Sequence, residues 1–116
     1  SDQVGSPTST HSLARVLISV IEQQSFYGIL HWCDGASISW YDFALEIQKV
    51  ALKHGLLKQK IPLKPLMTVD YLTKAARPTY SVLDRNLTLE KLGMINTDWR
   101  IELEKVVKRI LGKKKD

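Results

Sequence analysis

The sequence has one cysteine, no His or Cys pair at a metal-binding spacing and no apolar run approaching the ~20 residues that a membrane-spanning helix needs. A lone Cys33 cannot close an intramolecular disulfide, and its place in an apolar run predicts a buried, reduced thiol, the state a cytoplasm maintains. The polar opening residues do not read as a signal peptide, so the expected location is cytoplasmic, with no membrane partner. Glycine is missing where cofactor chemistry would need it. No Gly-rich loop follows a strand pattern, which excludes a dinucleotide fingerprint and a phosphate loop, and there is no Gly-x-Ser-x-Gly elbow. No tyrosine has a lysine four residues on; Tyr41 has Leu45 there and Tyr71 has Ala75. These residues describe recognition surfaces without a complete catalytic set, so no catalytic residue and no metal ligand is assigned.

What is present is ordinary for a soluble globular protein: 116 residues, 44% hydrophobic and 25% charged, enough for one small domain or part of a larger one. The formal charge of +5 does not gather into a stripe. Lys113, Lys114 and Lys115 follow Gly112 as an expected solvated tail, the other cations are scattered without aromatic interleaving, and nucleic acid is not an expected partner.

The chain opens on a loop of turn formers, Ser1 to Thr8, with nothing before it that could begin a domain. Leu13, Val16, Leu17, Val20 and Ile21 then recur at spacings of three and four, which predicts a helix capped by Thr8 or Thr10 and covering an apolar surface. Gly28 to Cys33, preceded by Phe26 and Tyr27, is dense in strand formers and ends at Asp34-Gly35, a turn signal. Its continuity predicts a parallel strand covered on both faces, with His31 a hydrogen-bonded core residue. Ser39 and Asp42 form a variant capping box for a helix to about His54, stopped by Gly55, with Trp40, Phe43, Ala44, Ile47, Val50 and Ala51 on its apolar face. Trp40 reads as a core aromatic or as the wall of a ligand cleft.

Ile61 to Met67 alternates apolar residues around Pro62 and Pro65, which confines it to an edge strand or an extended segment. Ala76-Arg77-Pro78 presents a guanidinium beside a proline; Pro78 holds Arg77 in an extended conformation and aims it out of the loop, a candidate anion clamp. Tyr80 to Leu83 reads as a short strand, Asp84 as the turn into a helix over Arg85 to Leu92 stopped by Gly93. Thr97 or Asp98 caps a last helix with Trp99, Leu103, Val106, Val107, Ile110 and Leu111 on its apolar face and Glu104 paired with Lys108. The fold class expected is α/β, with about four helices and a few short strands.

Five motifs in order resemble one family. Asp2-Gln3-x-Gly5-Ser6-Pro7-Thr8, Gly28-Ile29-Leu30-His31, Ser39-Trp40-Tyr41-Asp42-Phe43-Ala44, Ala76-Arg77-Pro78-x-Tyr80-Ser81-Val82-Leu83-Asp84, and Leu92-Gly93 with Asp98-Trp99-Arg100 are similar to the C-terminal part of the dTDP-4-dehydrorhamnose reductases, extended short-chain dehydrogenases of the NAD-dependent epimerase/dehydratase superfamily. The resemblance implies that residues 1–116 are the C-terminal substrate-binding portion of a reductase. Its N-terminal NADP-binding Rossmann domain would be absent from this chain, and with it the Tyr-x-x-x-Lys pair. It also implies NADPH as the cofactor of that missing domain, reduction of dTDP-4-dehydro-L-rhamnose to dTDP-L-rhamnose for cell-surface polysaccharides such as O-antigen, a homodimer, and in some relatives a magnesium ion bridging subunits. The fragment would bind the dTDP-sugar without catalysis, and apolar faces made for the missing domain would drive self-association.

By the same resemblance Arg77 matches the arginine set against the nucleotide diphosphate. Gln3, Gly5, Pro7 and Thr8 match the loop at the sugar end of the cleft, with Gly5 allowing close backbone approach, and Trp40 and Tyr80 are candidate walls. The sequence departs from the family at Ser9 and Ser12, where Tyr and Asp are common. The alternatives are a non-catalytic regulatory subunit of the same fold and another nucleotide-sugar reductase or epimerase.

Overall fold

The computed structural model describes residues 1–23, 27–71, 73–93 and 97–115. Ser39 ends a two-residue strand, β2 (Ile38–Ser39), and caps the next helix, α2 (Trp40–Lys53). Its hydroxyl accepts from the Asp42 amide at 3.1 Å and donates to the Asp42 carboxylate at 2.8 Å, the expected capping box with the return bond made to the hydroxyl. Gly55 closes the helix at φ 78°, a left-handed conformation that a side chain would strain.

Helix α2 packs against α4 (Trp99–Lys115). Asp98 starts α4, accepting from the Arg100 amide at 2.8 Å. Trp99 and Val107 from α4 and Val50 and Ala51 from α2 are buried. The Phe43 ring meets Trp99 edge to face at 5.4 Å between centroids, so aromatic geometry adds to burial there. Glu104 does not pair along its own helix as expected. Its carboxylate reaches across to Lys53 at 3.1 Å and His54 at 2.9 Å, which bolts the end of α2 to α4. Helix α4 also continues through Gly112 to Lys115, so the basic residues extend a helix where a solvated tail was expected.

Helix α1 (Thr10–Gln23) packs against α3 (Asn86–Leu92). Ser9, not Thr8 or Thr10, caps α1 by accepting from the Ser12 amide at 3.0 Å. Thr8 is committed elsewhere, donating to the Ser6 carbonyl and accepting from the Asp34 amide. Asp84 accepts from the Asn86 amide at 2.9 Å and Gly93 ends α3 at φ 60°. Val16 is buried, yet Leu17 is 56% and Ile21 68% exposed; the apolar stripe of α1 meets little among the described residues.

Strand β1 (Val4–Gly5) pairs antiparallel with β2, Val4 opposite Ser39 and Gly5 opposite Ile38. The expected strand at Tyr80 shrinks to one parallel bridge with Val4, held by the Ser81 amide on the Val4 carbonyl at 2.9 Å. The expected parallel strand from Gly28 to Cys33 has no ladder among the described residues, and Tyr27 and Ile29 stand exposed. A strand exists only against a partner edge, and none of the described strands reaches it. Phe26, at the head of that run, lies outside the described residues. His31 is exposed instead of sitting in a core, its carbonyl accepting from the Thr88 hydroxyl. Residues 61–67 carry no ladder, as their prolines require.

Gly35 is a point of contact more than a turn. It bridges to Asp98, and a Cβ there would lie 2.2 Å from the Thr97 carbonyl oxygen; the left-handed residue is Ala36, at φ 68°. The whole is flat and open, 49 × 42 × 22 Å, with a radius of gyration of 16.7 Å. A closed domain of this length would have about 13 Å. Its accessible surface of 8577 Å² likewise exceeds the roughly 6,400 Å² of a closed domain of this mass.

Candidate functional site

The N-terminal loop is held in place by a buried polar cluster. Asp34, 1% exposed, accepts from the Ser9 amide at 2.8 Å on one carboxylate oxygen and from the Ser12 and Thr97 hydroxyls on the other. Ser9 and Ser12, where the resemblance led to an expectation of Tyr and Asp, are therefore the residues through which the start of α1 meets this carboxylate. Beside it Glu102, also buried, accepts from the Ser9 hydroxyl at 3.2 Å and from Arg15 at 2.9 Å. Burial alone would push the Glu102 carboxyl up. The Arg15 hydrogen bond and charge, with help from Lys105 and Ser9, outweigh it and hold the group below its ordinary range. Arg85 ties the back of the cluster to the Cys33 carbonyl and to both oxygens of Thr97, its guanidinium 5.2 Å from the Trp32 ring centroid. Cys33 itself is buried and donates to the Leu83 carbonyl, as a reduced thiol would.

From this anchor residues 2–5 run past the start of α2, where the Gln3 carbonyl accepts from the Trp40 amide at 3.2 Å. A cleft of about 540 Å³ opens there, between residues 1–3, the first turns of α2 and residues from 63–68, 71, 73 and 77. Gln3, Trp40 and Arg77, which lie far apart in the chain, all line it. Trp40 is 45% exposed, so its indole is a cleft wall and not the core residue that its place on the apolar face of α2 allowed.

The remaining candidates lie elsewhere. Gly5 is buried, and a Cβ there would come within 3.2 Å of the Ser81 hydroxyl and 3.3 Å of the Trp40 ring; its close approach is to these protein atoms. Pro7 and Thr8 line a second cavity of about 330 Å³, shared with Trp99, Asp34 and Glu102, and Trp40 forms the wall common to both cavities. Tyr80 is exposed and lines neither; it belongs to the backbone bridge with Val4.

Sequence reasoning missed several residues of the first cleft. Gln3 donates to the Thr68 hydroxyl at 3.3 Å, which donates to Asp2 at 2.7 Å, while the Thr68 amide donates to the same Asp2 oxygen at 2.9 Å. The Thr68 hydroxyl bond leads in holding the Asp2 carboxyl below its usual range, so the group stays ionised as an acceptor facing the cleft. Lys64 and Arg77 supply the positive side chains, and Tyr41 and Tyr71 join Trp40 in offering flat faces. The signal for Asp2 was its place beside Gln3 in the quoted motif; for Lys64 it was the flanking prolines.

Such a cleft can attract an anion at Arg77 and Lys64, accept from a hydroxyl at Asp2 and stack a ring on an aromatic wall. Among the described residues no three His, Cys, Asp or Glu side chains gather as metal ligands, and no helix is long and apolar enough to cross a membrane.

The RmlD substrate binding domain family matches residues 1–111 of this chain. The dTDP-4-dehydrorhamnose reductase of Aggregatibacter actinomycetemcomitans is 34% identical over 110 residues, covering 90% of this chain and 37% of that protein. Among solved structures, the dTDP-4-dehydrorhamnose reductase of Clostridium acetobutylicum superposes with a TM-score of 0.81 at 36% identity, over 95% of this chain and 37% of its own. That of Bacillus anthracis, solved in complex with NADP, gives 0.70 at 32% identity, over 90% of this chain and 34% of its own. The chain thus spans little more than a third of the length of these relatives.

Proposed function

The chain belongs to the RmlD substrate-binding-domain family, and from that premise we propose that it is the substrate lobe of an NADPH-dependent, cytoplasmic reductase of dTDP-4-dehydro-L-rhamnose. The observation that carries this reading is the convergence of Gln3, Trp40 and Arg77 on one cleft of about 540 Å³, within the size range of small-molecule sites. In it the Arg77 fork would take a phosphate of the nucleotide diphosphate, Gln3 and Asp2 would bond sugar or ribose hydroxyls, and Trp40 would pack against a ring. Pro7 and Thr8 would act at one remove, by shaping the loop that carries Gln3.

The nicotinamide cofactor does not fit this chain. Among the described residues no glycine-rich loop follows a strand, and the cleft offers no helix N-terminus preceded by one to cradle a pyrophosphate. Cofactor binding and hydride delivery are assigned to a separate Rossmann domain. The exposed stripe of Leu13, Leu17 and Ile21 on α1, with Tyr27 and Ile29, is the surface that domain would cover.

The test is turnover by the full-length protein. With dTDP-4-dehydro-L-rhamnose it should oxidise NADPH and release dTDP-L-rhamnose; failure to oxidise NADPH removes the proposal in favour of a non-catalytic relative, and turnover of a different nucleotide sugar alone redirects it. Arg77→Ala should raise the KM for the sugar nucleotide by roughly 10- to 100-fold, the equivalent of about 1.5–3 kcal/mol for a charge-assisted contact, and leave the KM for NADPH nearly unchanged. Equal effects on both would refute the clamp.

A further inference from the structure

We infer that Lys64 is a second phosphate-binding cation, paired with Arg77, so that the cleft recognises a nucleoside diphosphate by holding its two phosphates from two separate segments of chain. The inference rests on the proposed reading of this cleft as a nucleotide-sugar site.

Lys64 and Arg77 share a device. Each stands immediately before a proline, Pro65 and Pro78, and a proline forces the preceding residue out of the helical region into extended backbone. Both residues lie outside the helices, on segments that the following proline stiffens, and both are exposed. The strap bearing Lys64 is tied at both ends. The Ile61 amide donates to the Gln48 side chain of α2, which is buried, and the Thr68 amide donates to Asp2. Leu63 and Met67 from the same strap also line the cleft, so Lys64 is presented at its wall.

The charges are available. Among the described residues neither Lys64 nor Arg77 enters an ion pair, so neither charge is already matched by a carboxylate. The cleft's carboxylate, Asp2, has its Oδ1 occupied by the Thr68 amide and hydroxyl. Arginine offers a planar fork suited to two oxygens of one phosphate, and lysine a compact charge that follows a second phosphate without fixed geometry. A monophosphate would fill one of these positions and leave the other with water.

The inference is tested by calorimetric titration of the full-length protein with dTDP, dTMP and thymidine. Lys64→Gln should weaken dTDP binding about tenfold, a loss equivalent to one charge-assisted contact, and change dTMP and thymidine by less than about twofold. Lys64→Arg, which keeps the charge, should hold dTDP binding within about threefold of wild type. Unaltered dTDP binding by Lys64→Gln, or an equal loss for all three ligands, overturns the role of Lys64 and leaves the cleft reading intact. A wild-type protein that binds none of the three overturns the cleft reading, and the inference with it.

Discussion

Helices α1 and α2 are each 14 residues long and each carries an apolar stripe at helical spacing, yet they come to opposite ends. Helix α2 buries Val50 and Ala51 against α4 and is bolted to it by Glu104. Helix α1 buries Val16 and leaves Leu17, Ile18 and Ile21 in solvent. Periodicity says which face of a helix is apolar, and says nothing about what covers it. The contrast also locates stability within the described residues: it resides where α2, α4 and the Asp34 cluster meet, while the far side of α1 contributes little.

Trp99→Ala tests the contrast most severely. It removes the most completely enclosed large side chain and its edge-to-face partner contact with Phe43, and should cost about 3–5 kcal/mol, read as a fall in denaturant midpoint. A loss as small as that of a surface substitution would mean the α2/α4 side is not the stable half. Next is Asp34→Ala, which leaves the Ser9 amide and the Ser12 and Thr97 hydroxyls without their acceptor and should cost roughly 3 kcal/mol, with amide exchange accelerated first at the start of α1.

On the other side of the comparison, the double variant Leu17→Ser, Ile21→Ser should change the stability of the isolated chain by less than about 0.5 kcal/mol while shifting it toward monomer in sedimentation velocity. A large destabilisation would show that α1 is packed within the chain and erase the contrast. The smallest effect belongs to Glu104→Gln. The hydrogen bond from His54, then the Lys53 bond and charge, lower the Glu104 carboxyl, so its contribution is present above the ordinary carboxylate range and is lost as pH falls through the lowered folded value. The variant should flatten the acid limb of the stability profile and leave the neutral region nearly unmoved; an unaltered acid limb would show that the bolt contributes nothing.

Much of the helical framework was legible, because helix ends are set by neighbours. Ser39 with Asp42, Gly55, Asp84, Gly93 and Asp98 act over two to four residues and fall where their side chains predict. The cap of α1 escaped for a related reason: three hydroxyl residues, Thr8, Ser9 and Thr10, compete, and Thr8 is withdrawn by Asp34, which comes from a different part of the chain. The segment from Gly28 to Cys33 has strand composition without a strand, since a ladder needs an edge that composition cannot supply. At the cleft, Arg77, Gln3 and Trp40 were legible through motif and proline context. Lys64 and Asp2 carried the same two signals, but what makes them neighbours of Arg77 is the path of residues 61–68 across α2, which no local signal gives.

What this sequence determined by itself is local: which stretches are helical, where most of them stop, and that Cys33 is a buried thiol. Tertiary structure alone decided that Glu104 answers to α2 and not to its own helix, that Gly35 must be bare to admit the Thr97 carbonyl, and that two residues each held before a proline, 13 apart in sequence, line one cleft. The division is physical. Caps and turns close over a few bonds and are written in adjacent side chains, whereas a cleft is made where distant segments meet, and that meeting is fixed by the packing of the whole.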